Sequence, residues 1–187
     1  MRQNKKRAVV LGVDPGLATT GWGVLRQEGP QAEALAYGVI QTAASTPLPD
    51  RLLQIHHDLS QLISTHRPDV LAIEELFFTK FARSIASTAQ ARGVILLTAA
   101  EQGVPIVEYN PRAVKMAVTG FGSAQKMQIQ QMVQKHFSLK TLPEPDDAAD
   151  ALAIALCHVQ TLSEIVNSRT MVPSLERAIA AALEQQK

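Results

Sequence analysis

The stretch Ala8-Val9-Val10-Leu11-Gly12-Val13-Asp14-Pro15-Gly16 decides the fold. Its first six residues form a continuous apolar run rich in β-branched side chains, the pattern of a strand covered on both faces. Asp14-Pro15-Gly16 ends that strand in a turn. Strand resumes at Gly21–Leu25, and a third strand spans Ala34 to Thr42, beyond the loop around Gly29-Pro30. Links this short between successive strands favour an antiparallel meander. A helix is predicted from about Asp50 to His66, where Leu52, Ile55, Leu59, Leu62 and Ile63 recur at helical spacing. Asp50 is placed to cap it and Pro68 to stop it. Asp69–Glu74 reads as the next strand, Arg83–Gln102 as a long helix closed by Gly103, and Val104–Glu108 as a fifth, short strand. Helices follow at about Pro111–Val118, Ala124–Phe137 and Asp146–Thr161. A meander followed by βαβ crossovers predicts an α/β fold: a mixed five-stranded sheet flanked by helices.

The chain has 187 residues, 46% hydrophobic and 19% charged, with a formal net charge of +1, which excludes disorder as its main state. Cys157 is its one cysteine, so an intrachain disulfide and a cysteine-based zinc site are excluded. No apolar run approaches the ~18 residues of a membrane span. Met1–Arg7 is basic, but the apolar stretch behind it is too short for a signal sequence. The expectation is a cytoplasmic protein built as a basic tail over 1–7, one domain over 8–160, and a linker and Ala-rich helix over 161–187.

Charge is balanced in total but not along the chain. Leu76 to Ala100 lacks acids and carries Lys80, Arg83 and Arg92. Tyr109 to Pro143 also lacks them and carries Arg112, Lys115, Lys126, Lys135 and Lys140. Acid returns as Glu144, Asp146, Asp147 and Asp150. Two cationic segments beside an acidic cluster form a polyanion footprint if they converge, and two solvated helix faces if they do not.

Asp14 and Glu74 each close a buried strand, where an unpaired carboxylate is costly to bury. An Asx-turn over Pro15-Gly16 is the alternative for Asp14, and an ordinary polar strand end for Glu74. Glu75 points to the opposite face from Glu74. Asp147 and Asp150 stand at i and i+3 on one helix face, among Ala148, Ala149, Ala151 and Leu152. Helix-dipole stabilisation explains Asp146 and Asp147 but not Asp150. Crevices in α/β sheets lie at strand ends, and four acids meeting there would offer hard oxygen donors suited to Mg²⁺ or Mn²⁺ rather than zinc. Two such ions about 3.5–4 Å apart support phosphodiester cleavage. Phe77 and Phe78 are adjacent aromatics in a chain with only 4% aromatic residues, placed to stack on splayed bases if exposed. His56, His57 and His66 are expected to be solvated.

Four blocks in order carry a resemblance: Leu11–Gly16, Ala72-Ile73-Glu74, Gln90-Ala91-Arg92-Gly93-Val94 and Asp147–Ala153, with Val114-Lys115, Thr119-Gly120, Gly122-Ser123-Ala124 and Lys126 between the last two. Together they resemble the RuvC family of Holliday junction resolvases over about Ala8 to His158. The resemblance implies a ribonuclease H-like fold and a homodimer that nicks two strands of like polarity in a four-way DNA junction. It implies catalytic, metal-holding roles for Asp14, Glu74, Asp147 and Asp150, with two Mg²⁺ per site and Mn²⁺ able to substitute. It places Lys115 and Lys126 near the scissile phosphate, Phe77 against unpaired bases, and the Arg83–Gln102 helix in the dimer contact. The RuvAB branch-migration complex is the implied motor partner. Lys80, Arg83, Arg92 and Arg112 complete the expected DNA-binding set. Phe81 stands where the family often has Asn, which bears on base contacts rather than on the metal site.

Two other classes are weighed. An actin-like ATPase also places Asp and Gly after its first strand, but needs two lobes that 187 residues do not supply. A junction-binding scaffold without catalysis has no use for the four carboxylates.

Overall fold

A computed structural model describes residues 7–29, 31–76 and 82–162, with the side chains of 82–84 outside the description. The strands are β1 (Arg7–Asp14), β2 (Thr19–Glu28), β3 (Gln31–Gln41), β4 (Val70–Glu74) and β5 (Ile106–Tyr109). The helices are α1 (Leu48–His66), α2 (Ala82–Glu101), α3 (Pro111–Thr119), α4 (Lys126–His136) and α5 (146–162). The sheet order is β3-β2-β1-β4-β5. β1 pairs antiparallel with β2, and β2 with β3. β4 lies parallel to both β1 and β5. This is the predicted mixed five-stranded sheet.

Strand alternation sorts the core into two layers. Leu11, Val13, Leu71 and Ile73 point to one face, where Ile55, Leu59 and Ile63 of α1 and Ala91, Ile95 and Ala99 of α2 cover them. Val10 and Ala72 point to the other, against α5 and the inner residues of α3 and α4. Asp14 and Glu74 share the parity of Val10 and Ala72, so both carboxylates project on the α5 side, at the ends of adjacent parallel strands.

Several local expectations are corrected. Arg7 is the first residue of β1, not the end of a tail: it pairs with Glu28, and its Nε lies 3.6 Å from that carboxylate. Asp50 does not cap α1. Pro47 is the N-cap and Asp50 falls in the first turn, because the prolines at 47 and 49 start the helix earlier. The final helix, predicted to end at about Thr161, does reach it and runs on to 162, with Thr161 Oγ1 donating to Cys157 O at 2.9 Å. The rest of the predicted 161–187 segment lies outside the described residues. His56 is not simply solvated, since its Nδ1 lies 2.9 Å from the buried Thr98 hydroxyl and ties α1 to α2.

Candidate active site

α5 reaches the sheet through missing side chains. Gly12 and Gly23 are register partners on β1 and β2, and Gly21 pairs with Asp14. A Cβ on Gly21 would collide with the backbone carbonyl of Asp147, and one on Gly12 would collide with the carbonyl of Ala151. On the helix side Ala148, Ala149, Ala151, Ala153 and Ala155 are fully buried. Small residues on both partners bring the helix backbone onto the strands. Asp147 and Asp150, one turn apart, are thereby carried to the end of β1.

The electrostatics record the convergence. Burial pushes Asp14 well above the ordinary carboxyl range, and Asp150, Glu74 and Asp147 add to that shift in decreasing order, against Lys126. Glu74 is raised first by burial and then by Asp150, while Lys115, Lys126 and Arg92 pull it down. Burial is also the main cause that raises Asp150, to about 6, with Lys126 opposing it. Asp14, Glu74, Asp147 and Asp150 therefore form one electrostatic cluster, although Asp14 and Asp150 are far apart in sequence. Among the described residues, no group of three or more His, Cys, Asp and Glu side chains is gathered tightly enough to hold a metal ion as it stands. Like charges repel, so gathering these carboxylates more tightly is costly until a cation is present. The all-oxygen donor set, desolvated and mutually repelling, fits a hard divalent cation.

The cations divide into two groups. Lys126 opens α4 with its Nζ 2.5 Å from Asp146 Oδ2 and 3.9 Å from Asp150 Oδ2. That hydrogen bond raises the Lys126 pKa and lowers that of Asp146. Lys115 is half-buried on α3 and close enough to act on Glu74 and Asp150. The start of α3 is fixed by Asn110, whose Oδ1 accepts from Arg112 N–H at 2.9 Å. Arg112 itself is exposed.

Arg92 corrects the expected DNA-binding set. Its side chain is only 9% exposed, and Nη1 donates to the Glu74 carbonyl at 2.5 Å. Nη2 lies 2.6 Å from Glu108 Oε2. A buried guanidinium satisfied by partners within the fold has no free fork for phosphate. Phe77 and Lys80 lie outside the described residues, and so does the Arg83 side chain.

Three features escaped the sequence reading. Asp146 is the partner of Lys126, a pairing across twenty residues that no spacing rule marks. Gly12 and Gly21 seat α5, and their legible signal is that both stand inside strands, where glycine marks a close approach of another backbone. Tyr109 OH lies 2.7 Å from His158 Nδ1, linking β5 to α5 behind the carboxylates. Burial pushes that phenol to about 12, so it stays neutral.

The family described as crossover junction endodeoxyribonuclease RuvC matches residues 10–158. The chain belongs to the RuvC family. A RuvC from Syntrophomonas wolfei is 50% identical over 152 residues, covering 81% of this chain and 88% of the relative. One from Endomicrobium trichonymphae is 49% identical over 161 residues, covering 86% and 85%. Thermus thermophilus RuvC, solved in complex with a Holliday junction substrate, superposes with a TM-score of 0.79 at 36% identity, covering 84% of this chain and 96% of that one. The yeast mitochondrial resolvase Ydc2 shares the fold with a TM-score of 0.63 at 12% identity, covering 89% and 85%. The RuvC family assignment makes this chain a crossover junction endodeoxyribonuclease with a ribonuclease H-like fold.

Proposed function

We propose that this enzyme resolves four-way DNA junctions by hydrolysing one phosphodiester bond in each of two strands of like polarity. The observation that carries the reading is the seating of α5 on Gly12 and Gly21, which delivers Asp147 and Asp150 to Asp14 and Glu74 beneath Lys115 and Lys126. Asp14, Glu74, Asp147 and Asp150 would hold two Mg²⁺ ions, with Mn²⁺ as a substitute. When bound, the ions supply Lewis acidity and an activated water. Lys126, resting on Asp146, and Lys115 are placed to neutralise the phosphate that approaches the acids. Burial removes water from the carboxylates and strengthens every charge interaction among them.

A homodimer would pair two such sites. On the outer side of α2, Gly93 has open space above it and Leu97, one turn on, is 57% exposed. That combination supports a close helix–helix contact between two copies. The resemblance also supports a cytoplasmic role beside a RuvAB branch-migration complex. Among the described residues, no helix is long and apolar enough to cross a membrane.

Incubation of the full chain and Mg²⁺ with a synthetic four-way junction, a linear duplex of the same sequence and its single strands tests the proposal. Paired nicks in two opposed junction strands, with the linear forms intact, are expected. Equal cutting of the linear duplex would overturn junction selectivity.

A further inference from the structure

The loop between α3 and α4 leaves Phe121 with 73% of its surface exposed, the highest value among the large hydrophobic residues described. The exposure is built into the backbone. Gly120 ends α3 in the left-handed region at φ 77°, and its N–H donates to Met116 O at 2.9 Å. Phe121 N–H donates to Thr119 Oγ1 at 3.1 Å, and Ala124 N–H donates to Phe121 O at 3.3 Å. The main chain at Phe121 is thus tied on both sides while its ring faces water. Met116, 48% exposed, and Met127, 54% exposed, add apolar surface on the adjoining helices. Beside the ring is an open depression of about 400 Å³, lined by Thr119, Gln128 and Met132 among others. A patch of this kind marks a contact surface.

Charge identifies the occupant. Residues 109–143 carry no acid. The stem of Arg112 lies where a Cβ on Gly122 would sit, with Cγ 2.7 Å from that position, so a cation is held against the same loop. Lys126 follows Phe121 by five residues and reaches Asp150 at 3.9 Å, so the rim is continuous with the carboxylate cluster. Aromatic and cationic side chains interleaved along one rim are the pattern that binds unpaired nucleotides.

We propose that Phe121 is a DNA-contact residue that packs against a nucleotide of the junction beside the cleaved strand, with Arg112 on a neighbouring phosphate. The inference rests on the resolvase reading and assigns a contact outside its carboxylates and lysines.

Its test is junction affinity across a salt series, measured with the full chain in Ca²⁺, together with nicking in Mg²⁺. Phe121→Ala should weaken junction binding by about fivefold or more. Its slope of log K against log salt should match that of the parent, because no ionic contact is lost. Arg112→Ala should lower affinity and reduce the slope by about one. Phe121→Trp should restore affinity, and its added indole emission should be quenched when junction is bound. Equal affinity and nicking for Phe121→Ala, with no emission change in Phe121→Trp, overturns the proposal and assigns the patch to a protein partner. A loss of affinity with an altered slope for Phe121→Ala overturns it too. Failure of the parent chain to bind or cut the junction would instead sink the resolvase reading itself.

Discussion

Arg92 stands behind Glu74, not in front of it. Its guanidinium fixes the carbonyl of Glu74, neutralises Glu108 on the next strand, and pulls the Glu74 carboxyl toward ionisation. Arg92→Ala leaves that carbonyl without its donor, at a cost of about 1–3 kcal/mol, and frees the end of β4 to shift. Misplacement on that scale should slow single-turnover junction cleavage roughly tenfold to a hundredfold while affinity in Ca²⁺ stays within about twofold. Arg92→Lys should recover little, because a point charge cannot serve both partners as a fork does. A loss of affinity as steep as that of Arg112→Ala would return Arg92 to the phosphate-binding set. Asp147→Asn is expected to abolish cleavage and leave junction binding nearly intact, since it removes a proposed metal ligand while the exposed cations beside the cluster, Arg112 and Lys126, stay in place. Gel-shift and cleavage assays on the same junction separate the two effects. At this scale Asp150 was legible because a carboxylate among small buried residues has few bland explanations, whereas Asp14, Glu74 and Asp147 each had one and were marked as a set by the family resemblance. The role of Arg92 was not legible, because a sequence count of cations carries no information about which are internally paired.

Element identities were legible: every strand and helix described overlaps a stretch the sequence assigned, from a continuous apolar run for β1 and 3.6-residue recurrence for α1, with turn and cap residues marking the others. Their ends were not, since turns and proline geometry set them; the start of α1 is the example. The seating of α5 was also hidden. Close approach depends on which glycine meets which backbone atom across three elements, and that requires the register Gly12↔Gly23 and Asp14↔Gly21. Gly21→Ala would drive a methyl group into the carbonyl of Asp147. The helix must lift or the strand bend, at a cost typical of overpacking, about 1–3 kcal/mol or more. The expected outcome is a lowered unfolding temperature and lost cleavage, with the exposed cations still able to bind DNA. The comparison variant is Gly93→Ala, where the added methyl meets nothing. It should leave the stability of the single subunit unchanged or slightly raised, as removing a helical glycine does. Equal unfolding temperatures for Gly21→Ala and the parent would disprove the seating argument.

At the scale of the whole molecule, the fold buries carboxylates and gathers like charges that the unfolded chain keeps apart, and desolvation first, then repulsion, acts against its stability when no cation is bound. The sign follows from Asp150, whose pKa rises from the model-peptide value of 3.8 to about 6 on folding. Between those values the folded state holds more protons than the unfolded one, so stability falls as pH rises through that window, and the penalty is full above it. Asp14 and Glu74 are shifted in the same direction. Asp146, lowered by Lys126, acts in the opposite sense: its contribution is present above the unfolded value and lost as pH falls through the folded one. The comparison between parent and Asp150→Asn isolates the Asp150 contribution. In EDTA, Asp150→Asn should unfold at a higher temperature than the parent at pH 7, and the gap should close toward pH 4. Mn²⁺ should raise the unfolding temperature of the parent more at pH 7 than at pH 5, because cation binding competes with protons for the same oxygens. It should raise that of Asp150→Asn less. Thermal unfolding of both chains at the two pH values, with and without Mn²⁺, measures all of these differences. A parent stabilised equally by Mn²⁺ at pH 5 and pH 7 would mean that the cluster does not take the ion in competition with protons, and the metal assignment would fall.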